Sequence, residues 1–446
     1  MIAVFYLPCH KNMKNVNVIL IVIDSLRPDH LGCYGYNRNT SPNIDIFSKE
    51  AILFTKAIAQ SSWTAPSVAS LLTSSFPGEH EMFRTITNMF GLSLNSSKST
   101  LAELLRGNGY FTGLITDMTP LFLISGIGRG FDTFINVTFN NSKRTTEEAI
   151  NWIMRNKKKK FFLFMHYFGP HFPYKPNFVN RLKEDPAKEN ISIPIQQSDE
   201  VFGVISKKAA ENNITDLDYY IDNYDGKILY TDEQIGILLQ EIKKMNLNKN
   251  TIIIIASDHG EGFGEHYLYC EHGYILYDEI IRVPLIIRFP NARFQNKIID
   301  KPVGLADILP TILDYLKIKG GDYRGISLLP LIRDNFYEER FIYSEEPNAN
   351  ACIRNGRYKL IYNMRAHHSR QKYLPSSDFE LYDIIEDPQE KKNLAEEAIN
   401  IFNPLKERLS NIFNDLHDEK NSRMHLIPLK IDETKKESLK SLGYLQ

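Results

Sequence analysis

Two runs of apolar, mostly β-branched residues constrain the fold of this chain more than any other feature of its sequence. Residues 16–23 and 251–256 are almost continuously apolar and lack the polar–apolar alternation of a half-exposed strand. Such runs are typical of parallel strands buried on both faces, which occur mainly in α/β proteins. The sequence therefore predicts a doubly wound sheet covered by helices on both sides.

Potential metal ligands follow both runs. Asp24 comes directly after the first run, and Asp258 with His259 follows the second after one serine. In open α/β sheets ligands bind outside the carboxyl ends of the strands, so we expect these three side chains to meet. Oxygen ligation with one imidazole suits Mn²⁺, Mg²⁺, Ca²⁺ or Zn²⁺ without strong selection among them. A single Asp at a strand end more often caps the next turn, so the metal hypothesis depends on the combination.

Thr64 lies just before a predicted helix. Pro66 suits the first turn of that helix, because its missing N–H would be unpaired there in any case. A Thr at this position is most often an N-cap, and that interpretation stays open. The positive end of the helix would also stabilise an anionic ester, and a metal ion on the Thr64 oxygen would favour its alkoxide. Thr64 is therefore a candidate nucleophile and a candidate metal ligand.

Four histidines are candidate proton donors or anion contacts for such a site. They are His166, His171, His266 and His272. Each of them taken singly is more often a core or surface histidine, so their roles depend on whether the fold brings them to Thr64.

Strands and helices alternate up to about residue 320, which supports the α/β prediction. Predicted strands cover 16–23, 111–116, 161–166, 251–256 and 283–289, and predicted helices cover part of 39–54, 100–107, 145–156, 217–244 and 307–316. Short strands at 341–344, 351–354, 357–362 and 381–383 follow, with a hairpin signal at Asn355-Gly356 and a helix at 395–416. We expect a catalytic α/β domain at 13–325 and a C-terminal subdomain, an antiparallel sheet plus a helix, at 326–446.

Composition narrows the class of function. The net charge of −1 argues against a general nucleic-acid binder, because phosphate backbones demand a basic surface. The four cysteines are scattered without metal-type spacing, which predicts reduced thiols and a cytoplasmic protein. No run reaches the ~18–20 apolar residues of a membrane span, so no stable membrane anchor is expected. The expected partner is a small anionic ester, and a homo-oligomer stays open.

Ordered motifs along nearly the whole chain resemble those of one known family. They lie at 24–35, 41–45, the Thr64 loop, 170–174, 257–261, 277–285, 381–383 with 387–388, and 441–444. In these motifs the chain resembles the sulfatase family of the alkaline phosphatase superfamily. The resemblance implies a central mixed sheet flanked by helices, and a smaller C-terminal domain with a four-stranded antiparallel sheet.

The same resemblance implies roles for particular residues. It implies a divalent metal bound by Asp24, Asp258 and His259, with Thr64 as the nucleophile that also contacts the metal. It places His171 near the ester, where it could contact the anion or protonate the leaving group.

The finer chemistry depends on where the chain departs from the family. Sulfatases carry a Cys or Ser that is oxidised to formylglycine at the position of Thr64, and an Arg at the position of Val68. Oxidation of Thr would give a ketone, so no formylglycine is expected. Ser25 replaces a second Asp, and Gly169 replaces an Asp before the Pro-His motif. His272 stands where sulfatases have an active-site Lys, and is a candidate anion contact or proton donor.

These departures favour esters of phosphorus over sulfate esters as substrates. A Thr ester lacks the second hydroxyl through which a formylglycine hydrate expels sulfate, so its release needs water attack at the central atom. That route is familiar for phosphorus, and Thr is the nucleophile in related phosphodiesterases, nucleotide pyrophosphatases and phosphoglycerol transferases. We expect a metal-dependent hydrolase of phosphate diesters or phosphonate monoesters with a covalent Thr64 intermediate. The alternatives are an arylsulfatase-like sulfuric ester hydrolase, a phospho-headgroup transferase and a catalytically silent anion-binding member.

Overall fold

A computed structural model describes most of the chain. The described residues are 15–82, 93–118, 122, 125–138, 140–174, 182, 191–197, 200–207, 210, 213–346, 350–363, 373 and 377–417. Cys9 and the motif at 441–444 lie outside these residues. None of the described helices is long and apolar enough to cross a membrane.

Nine strands of the described chain form the central sheet. They are β1 (Asn17–Ile23), β2 (Ile52–Ile58), β3 (Phe111–Thr116), β4 (Thr133–Asn136), β5 (Phe161–Tyr167), β6 (Thr251–Ser257), β7 (Arg282–Arg288), β8 (Lys297–Ile299) and β9 (Val303–Gly304). The strand order is β4-β3-β5-β1-β6-β7-β2-β8, and β9 also pairs with β2. β7 runs antiparallel to both β6 and β2, whereas the other pairs are parallel, so the sheet is mixed.

Ten α-helices accompany the strands of the described chain. They are α1 (Pro42–Lys49), α2 (Thr64–Thr73), α3 (Pro77–His80), α4 (Leu101–Gly107), α5 (Ser142–Asn156), α6 (Leu217–Lys244), α7 (Asp278–Ile281), α8 (Ile308–Leu316), α9 (Leu329–Asp334) and α10 (Ile399–His417). The long helix α6 has the bounds that its apolar periodicity predicts.

The central sheet is covered on both faces, as its apolar runs predict. Along β1, Val18 and Leu20 belong to a buried cluster that includes residues of α2 and α8. Ile19 and Ile21 belong to a second cluster on the opposite face, with residues of α1, α5 and α6. Because side chains alternate between the faces of a strand, a strand covered on both sides must be apolar throughout.

The register of the three middle strands positions their carboxyl ends side by side. Ile23 at the end of β1 lies opposite Tyr167 of β5 and opposite Ser257 of β6. Residues that end or follow these three strands are therefore neighbours in space, although they are far apart in the sequence.

A second sheet follows the first. Its strands are β10 (Ile342–Glu346), β11 (Asn350–Arg354), β12 (Tyr358–Asn363) and β13 (Phe379–Asp383), all antiparallel and in sequence order. Helix α10 packs on this sheet through Leu405, Leu409 and Leu416. The predicted fold class is confirmed, including the small antiparallel sheet with its helix. Residues of α9 pack in the core of the large sheet, and the domain boundary at residue 325 stays a prediction.

The predicted helix within residues 39–54 is only partly right. α1 ends at Lys49, and residues 52–58 form β2, a strand that was not predicted. The apolar run at 52–54 fits a helix or a strand equally well by periodicity. Residues 52–54 form a strand because they pair with β7, where Ile287 lies opposite Ile52.

Buried ion pairs connect the second sheet to the first domain. Asp278 of α7 accepts hydrogen bonds from Arg354 of β11 at 2.6 Å and from Lys359 of β12 at 2.9 Å. The Lys359 ammonium also lies 2.7 Å from Glu390. We call Asp278, Arg354, Lys359 and Glu390 the subdomain network.

Candidate active site

The predicted carboxylates meet at the carboxyl edge of the sheet. Asp24 follows β1, and Asp258 and His259 follow β6, and all three side chains are fully buried. His259 Nε2 lies 3.3 Å from Asp24 Oδ1 and 3.8 Å from Asp258 Oδ2. The shared register of β1 and β6 explains this proximity, because Asp24 and Asp258 are the residues next to the paired Ile23 and Ser257.

Thr64 points into the same place from the start of α2. It is the first residue of the helix, and the N-cap position belongs to Trp63, whose side chain makes no capping bond. The Thr64 hydroxyl instead donates to Asp24 Oδ2 at 3.5 Å and lies 3.2 Å from His259 Nε2. The N-cap alternative is therefore wrong for Thr64, whose hydroxyl faces the carboxylates. Every residue of α2 is buried, so the helix holds Thr64 firmly in this position.

His166 is a member of this group that the sequence suggested only as one of several proton donors. It is the second-last residue of β5, and its Nε2 lies 3.5 Å from Asp258 Oδ2 and 3.9 Å from Asp24 Oδ2. A polar residue near the end of an otherwise apolar buried strand was the available signal. We call Asp24, Thr64, His166, Asp258 and His259 the strand-end cluster.

The strand-end cluster has the donor atoms of a divalent metal site. Ligand atoms of Asp24, His166 and Asp258 all lie within 4.8 Å of one another. His166 Nε2 and Asp258 Oδ2 are buried without a hydrogen-bond partner among the described residues. Native proteins rarely leave buried polar atoms unsatisfied, and such atoms often indicate an ion. Two carboxylates with imidazole nitrogens would fit Mn²⁺ or Zn²⁺ in particular.

The hydrogen bonds of His259 leave its inner nitrogen available. His259 Nδ1 lies 2.8 Å from the carbonyl oxygen of Gly260. A carbonyl only accepts hydrogen bonds, so Nδ1 carries the proton and neutral His259 presents the lone pair of Nε2 to the cluster. Metal-binding histidines commonly have their second nitrogen fixed in this way.

Charges within the strand-end cluster shift the pKa values strongly. Burial raises the pKa of Asp258, but the charges of His259 and His166 outweigh burial and hold that pKa well below its ordinary value. Burial lowers the pKa of His259, but Asp258 and Asp24 outweigh it and raise that pKa to about 9. The carboxylates therefore attract positive charge, and a metal cation would compete with the proton on His259.

Loop residues hold the two carboxylates in place. Ser25 adopts a left-handed backbone conformation with φ of 57°, which is rare for a residue other than glycine. In that conformation its N–H donates to Asp258 Oδ1 at 3.3 Å and its hydroxyl donates to Asp24 Oδ1 at 3.0 Å. The Ser67 hydroxyl of α2 donates to the backbone carbonyl of Asp258 at 2.6 Å. Ser25, where sulfatases have a second Asp, thus supports the carboxylates instead of adding one.

His171 and His272 lie next to the strand-end cluster. The ring of His272 is centred 4.2 Å from the ring of His259 and 4.9 Å from that of His171. His171 Nδ1 bonds to the carbonyl oxygen of Phe172, and burial lowers the pKa of His171 to about 3. At neutral pH His171 is therefore uncharged, with the proton on Nδ1 and a lone pair on Nε2.

His272 has an acidic partner instead. Its Nδ1 lies 3.2 Å from Glu261 Oε1, and Tyr174 donates to Glu261 Oε2 at 3.0 Å. Burial raises the pKa of Glu261 to about 7. Glu261 was visible in the sequence beside Asp258 and His259, but nothing there connected it with His272.

His266 is not brought to the strand-end cluster. Its Nδ1 lies 2.7 Å from Glu279 Oε1, its Nε2 lies 3.1 Å from the carbonyl oxygen of Glu390, and its ring stacks on Tyr277. These bonds place it beside the subdomain network.

A charged cavity of about 560 Å³ also has no lining residue in the strand-end cluster. Its lining includes the carboxylates of Asp29, Asp218, Asp222, Glu265, Asp278 and Glu279. Three cations, Arg27, Arg282 and Lys391, also line it, so carboxylates outnumber cations by six to three. This excess of negative charge disfavours an anionic ester there, and the Thr64 site is the better candidate for such a substrate.

Comparison with known proteins agrees with the fold and the motifs. A family model described as "Sulfatase" matches residues 16–318, and one described as "N-sulphoglucosamine sulphohydrolase, C-terminal" matches residues 264–415. An ulvan-active sulfatase of Formosa agariphila is 26% identical, over 91% of this chain and 83% of its own length.

Two solved structures share the fold. One holds its substrate D-glucosamine-2-N,6-O-disulfate and superposes with a TM-score of 0.72 at 21% identity, covering 92% of this chain and 100% of the other. The other is a phosphonate monoester hydrolase of Agrobacterium radiobacter, with a TM-score of 0.70 at 19% identity, covering 90% of this chain and 96% of the other.

Proposed function

The chain belongs to the sulfatase family of the alkaline phosphatase superfamily, and on that premise we propose that it cleaves phosphate diesters or phosphonate monoesters. In this proposal the enzyme depends on a divalent metal and forms a covalent ester on Thr64. The proposed metal ligands are Asp24, Asp258, His259 and the Thr64 oxygen. The proposed proton-transfer groups are His171 and His272.

The observation that carries this proposal is the position of the Thr64 hydroxyl. It is 3.5 Å from Asp24 Oδ2, at the N-terminus of a ten-residue buried helix. Free N–H groups and the helix dipole at such an end stabilise the oxygens of a bound anion. Thr cannot become an aldehyde, so its ester must be released by attack at the central atom, a route that suits phosphorus.

In the first step the Thr64 oxygen attacks phosphorus and the bond to the leaving alcohol breaks. The hydroxyl proton has an acceptor in Asp24 Oδ2. A bound divalent ion would supply Lewis-acid stabilisation of the oxygen atoms that gain negative charge. The leaving alkoxide takes a proton from His272, whose Nδ1 lies 3.2 Å from Glu261 Oε1.

In the second step water attacks phosphorus and the bond to Thr64 breaks. The proposed base is His171, because its Nε2 has a free lone pair at neutral pH, and a pKa of about 3 makes it a weaker base than an ordinary imidazole. Thr64 then recovers its proton. The two histidines thus have separate roles, whereas the sequence had left both as candidates for the leaving group.

The charge of the strand-end cluster favours substrates with a single negative charge. Within the described part of the chain, the polar contacts of the five cluster side chains involve no Lys or Arg. Val68, where sulfatases have an Arg, is fully buried in the core. Diesters and phosphonate monoesters carry one negative charge, so they need less positive charge than a phosphate monoester.

Sulfuric ester hydrolysis is the second candidate. The relative from Formosa agariphila is a sulfatase, and one matching solved structure contains a sulfated sugar substrate. Sulfate esters also carry a single negative charge, so charge alone does not separate the two candidates. The chemistry of Thr64 separates them, and it supports phosphorus.

A hydrolysis assay with Mn²⁺ tests the proposal. It compares bis-p-nitrophenyl phosphate, a phenyl phosphonate monoester, p-nitrophenyl phosphate and p-nitrophenyl sulfate. We expect turnover of the first two and a loss of at least about 10³-fold in kcat/KM for Thr64→Val, which removes the nucleophile at nearly constant volume. Thr64→Ser should keep measurable activity.

Thr73→Val is the matched control, because Thr73 is a buried Thr at the other end of the same helix. It should stay within a few-fold of the unmodified protein. Dominant turnover of p-nitrophenyl sulfate that depends on Thr64 would favour the second candidate. Phosphoester turnover that survives Thr64→Val would contradict the covalent route.

A further inference from the structure

We infer that His166 is a metal ligand, and that with Asp24 and Asp258 it gives the centre a preference for Zn²⁺ and Mn²⁺ over Ca²⁺. The inference rests on the proposed metal-dependent function and adds an imidazole that neither the motifs nor the family resemblance suggested. It concerns binding of the ion alone, so it can be tested without any substrate.

The position of His166 follows from the strand register. His166 of β5 lies opposite Val22 of β1, two residues before Asp24. Its side chain is fully buried and points to the carboxylates that follow β1 and β6. The pairing of β5 with β1 therefore places the His166 side chain beside Asp24 and Asp258.

Neither ring nitrogen of His166 makes a hydrogen bond of ordinary geometry with the described residues, and its shortest approach to a carboxylate oxygen is the 3.5 Å from Nε2 to Asp258 Oδ2. His80, another fully buried histidine of the fold, is satisfied on both nitrogens. His80 Nε2 bonds to the Ser70 hydroxyl at 2.9 Å and its Nδ1 accepts from the N–H of Met82 at 3.2 Å. In its neutral form His166 thus has an unused lone pair in a buried place, which is costly unless another group binds there.

Direct ion pairing describes the geometry of His166 less well than ligation does. Elsewhere in this protein buried imidazoles approach carboxylates to 2.6 Å in His30–Asp225 and 2.7 Å in His266–Glu279. His166 Nε2 instead stays 3.5 and 3.9 Å from its two carboxylate oxygens. Ligand atoms about 2.1 Å from one ion are about 3.0 Å apart at right angles and about 4.2 Å apart when opposite. Both observed separations fall in that interval.

The ligand chemistry sets the preference for the ion. Ca²⁺ and Mg²⁺ prefer oxygen ligands, whereas imidazole suits Zn²⁺ and other first-row transition ions. His166 adds a nitrogen ligand, and Ser25 stands in the sequence where sulfatases have a second Asp. The centre therefore loses negative charge and gains a softer ligand, and both changes disfavour Ca²⁺.

Calorimetric titration of the metal-free full-length protein tests this inference. We expect Zn²⁺ and Mn²⁺ to bind at least about tenfold more tightly than Ca²⁺, and His166→Gln to weaken Zn²⁺ binding at least about tenfold. His80→Gln is the matched control, because it removes an equally buried histidine outside the cluster, and it should leave Zn²⁺ binding unchanged. Pulsed electron paramagnetic resonance of the Mn²⁺-loaded protein should show imidazole nitrogen couplings that decrease in His166→Gln.

Tighter binding of Ca²⁺ than of Zn²⁺ and Mn²⁺ by the unmodified protein would overturn the inference, and this result needs no variant to fold. Unchanged Zn²⁺ affinity and unchanged nitrogen couplings in folded His166→Gln would overturn it as well. The proposed function fails separately, since a protein that binds Zn²⁺ through His166 but hydrolyses no ester contradicts only the proposed reaction.

Discussion

The subdomain network and the strand-end cluster both bury carboxylates, but they neutralise them by different means. In the subdomain network the ammonium of Lys359 reaches Asp278 at 2.9 Å and Glu390 at 2.7 Å. In the strand-end cluster the groups that can carry positive charge are imidazoles, 3.3 to 3.9 Å from the carboxylate oxygens. Lys and Arg keep their charge well above neutral pH, whereas an ordinary imidazole loses it near neutrality and His259, with its pKa raised to about 9, loses it only about two pH units higher.

This difference separates a structural role from a functional one. In the subdomain network the Lys and Arg side chains supply positive charge at 2.6 to 2.9 Å without any added ion, and the network joins two parts of the fold. The strand-end cluster retains unused acceptor atoms on His166 and Asp258, which leaves room for a cation. Natural proteins tolerate such incomplete neutralisation mainly where a site binds something or performs chemistry. Substitutions in the two groups should therefore act on different measurable quantities.

The largest effect on stability should come from breaking the subdomain network. Lys359→Met leaves the carboxylates of Asp278 and Glu390 facing each other in a buried place. Removing one partner of a buried pair costs about 3–5 kcal/mol, and we expect a loss of that size in the free energy of unfolding. Urea denaturation followed by circular dichroism measures it.

Lys392→Met is the control for that experiment. Lys392 pairs with Glu397 at 2.8 Å, but both side chains are more than 60% exposed. Exposed pairs contribute about 0–1 kcal/mol, so this variant should resemble the unmodified protein. Equal losses in the two variants would show that burial does not distinguish the subdomain network from surface pairs.

The sequence predicted four members of the strand-end cluster together, Asp24, Thr64, Asp258 and His259, and suggested His166 only as one of four candidate histidines. Continuous apolar runs identify β1 and β6, and Asp24 and Asp258 follow from where those runs end. The role of His166 depends on the pairing of β5 with β1, because only the register brings residue 166 beside residue 24. No periodicity within a single strand contains that information.

The same limit applies to the fold. The short strands and the helix of the C-terminal part follow from local patterns, and the hairpin between β11 and β12 is confirmed. There Asn355 supports the turn through its side chain, which accepts the N–H groups of Arg357 and Tyr358. β2 could not be predicted, since its strand character depends on β7, more than 220 residues later. In the subdomain network Asp278 likewise bonds to residues that are 76 and 81 positions away.

Stability measured at several pH values extends the comparison of the two groups to His266, which lies beside the subdomain network. Burial lowers the pKa of His266, but the charge of Glu279 and the bond to it outweigh burial and raise that pKa to about 9. The folded state therefore holds this proton more tightly than the unfolded state. The resulting stability is complete below about pH 6.5 and is lost as pH rises through about 9, a change of about 3 kcal/mol.

Comparison with His266→Gln isolates this contribution from other groups that titrate. The variant should be less stable than the unmodified protein at pH 6, and the difference should shrink by pH 9.5. Urea denaturation at both pH values measures the free energies. A difference that is equal at the two pH values would show that the loss comes from packing against Tyr277 and not from the proton.

The smallest expected change in stability is the one caused by adding a metal ion. It distinguishes the strand-end cluster from the subdomain network most directly, because only the strand-end cluster is expected to bind the ion. Mn²⁺ at a hundred times its dissociation constant should stabilise the unmodified protein by about 2.7 kcal/mol. Asp258→Asn should lose most of that increment, because it removes a charged ligand. Without metal it should also lower stability at neutral pH, because the folded state holds the pKa of Asp258 below its ordinary value and that contribution needs the charge. The quantity compared is therefore the Mn²⁺ increment of each protein and not its stability without metal.

Asp232→Asn is the matched control for this last experiment. Asp232 is an equally buried carboxylate that accepts the N–H groups of Asn43 and Ile44, away from the strand-end cluster. It should keep the full Mn²⁺ increment in thermal unfolding, whatever its own stability. If Asp258→Asn also keeps the increment, the ion binds elsewhere, and the unused acceptors of the strand-end cluster need a different explanation. If only Asp258→Asn loses the Mn²⁺ increment, the ion binds at the unused acceptors of the strand-end cluster.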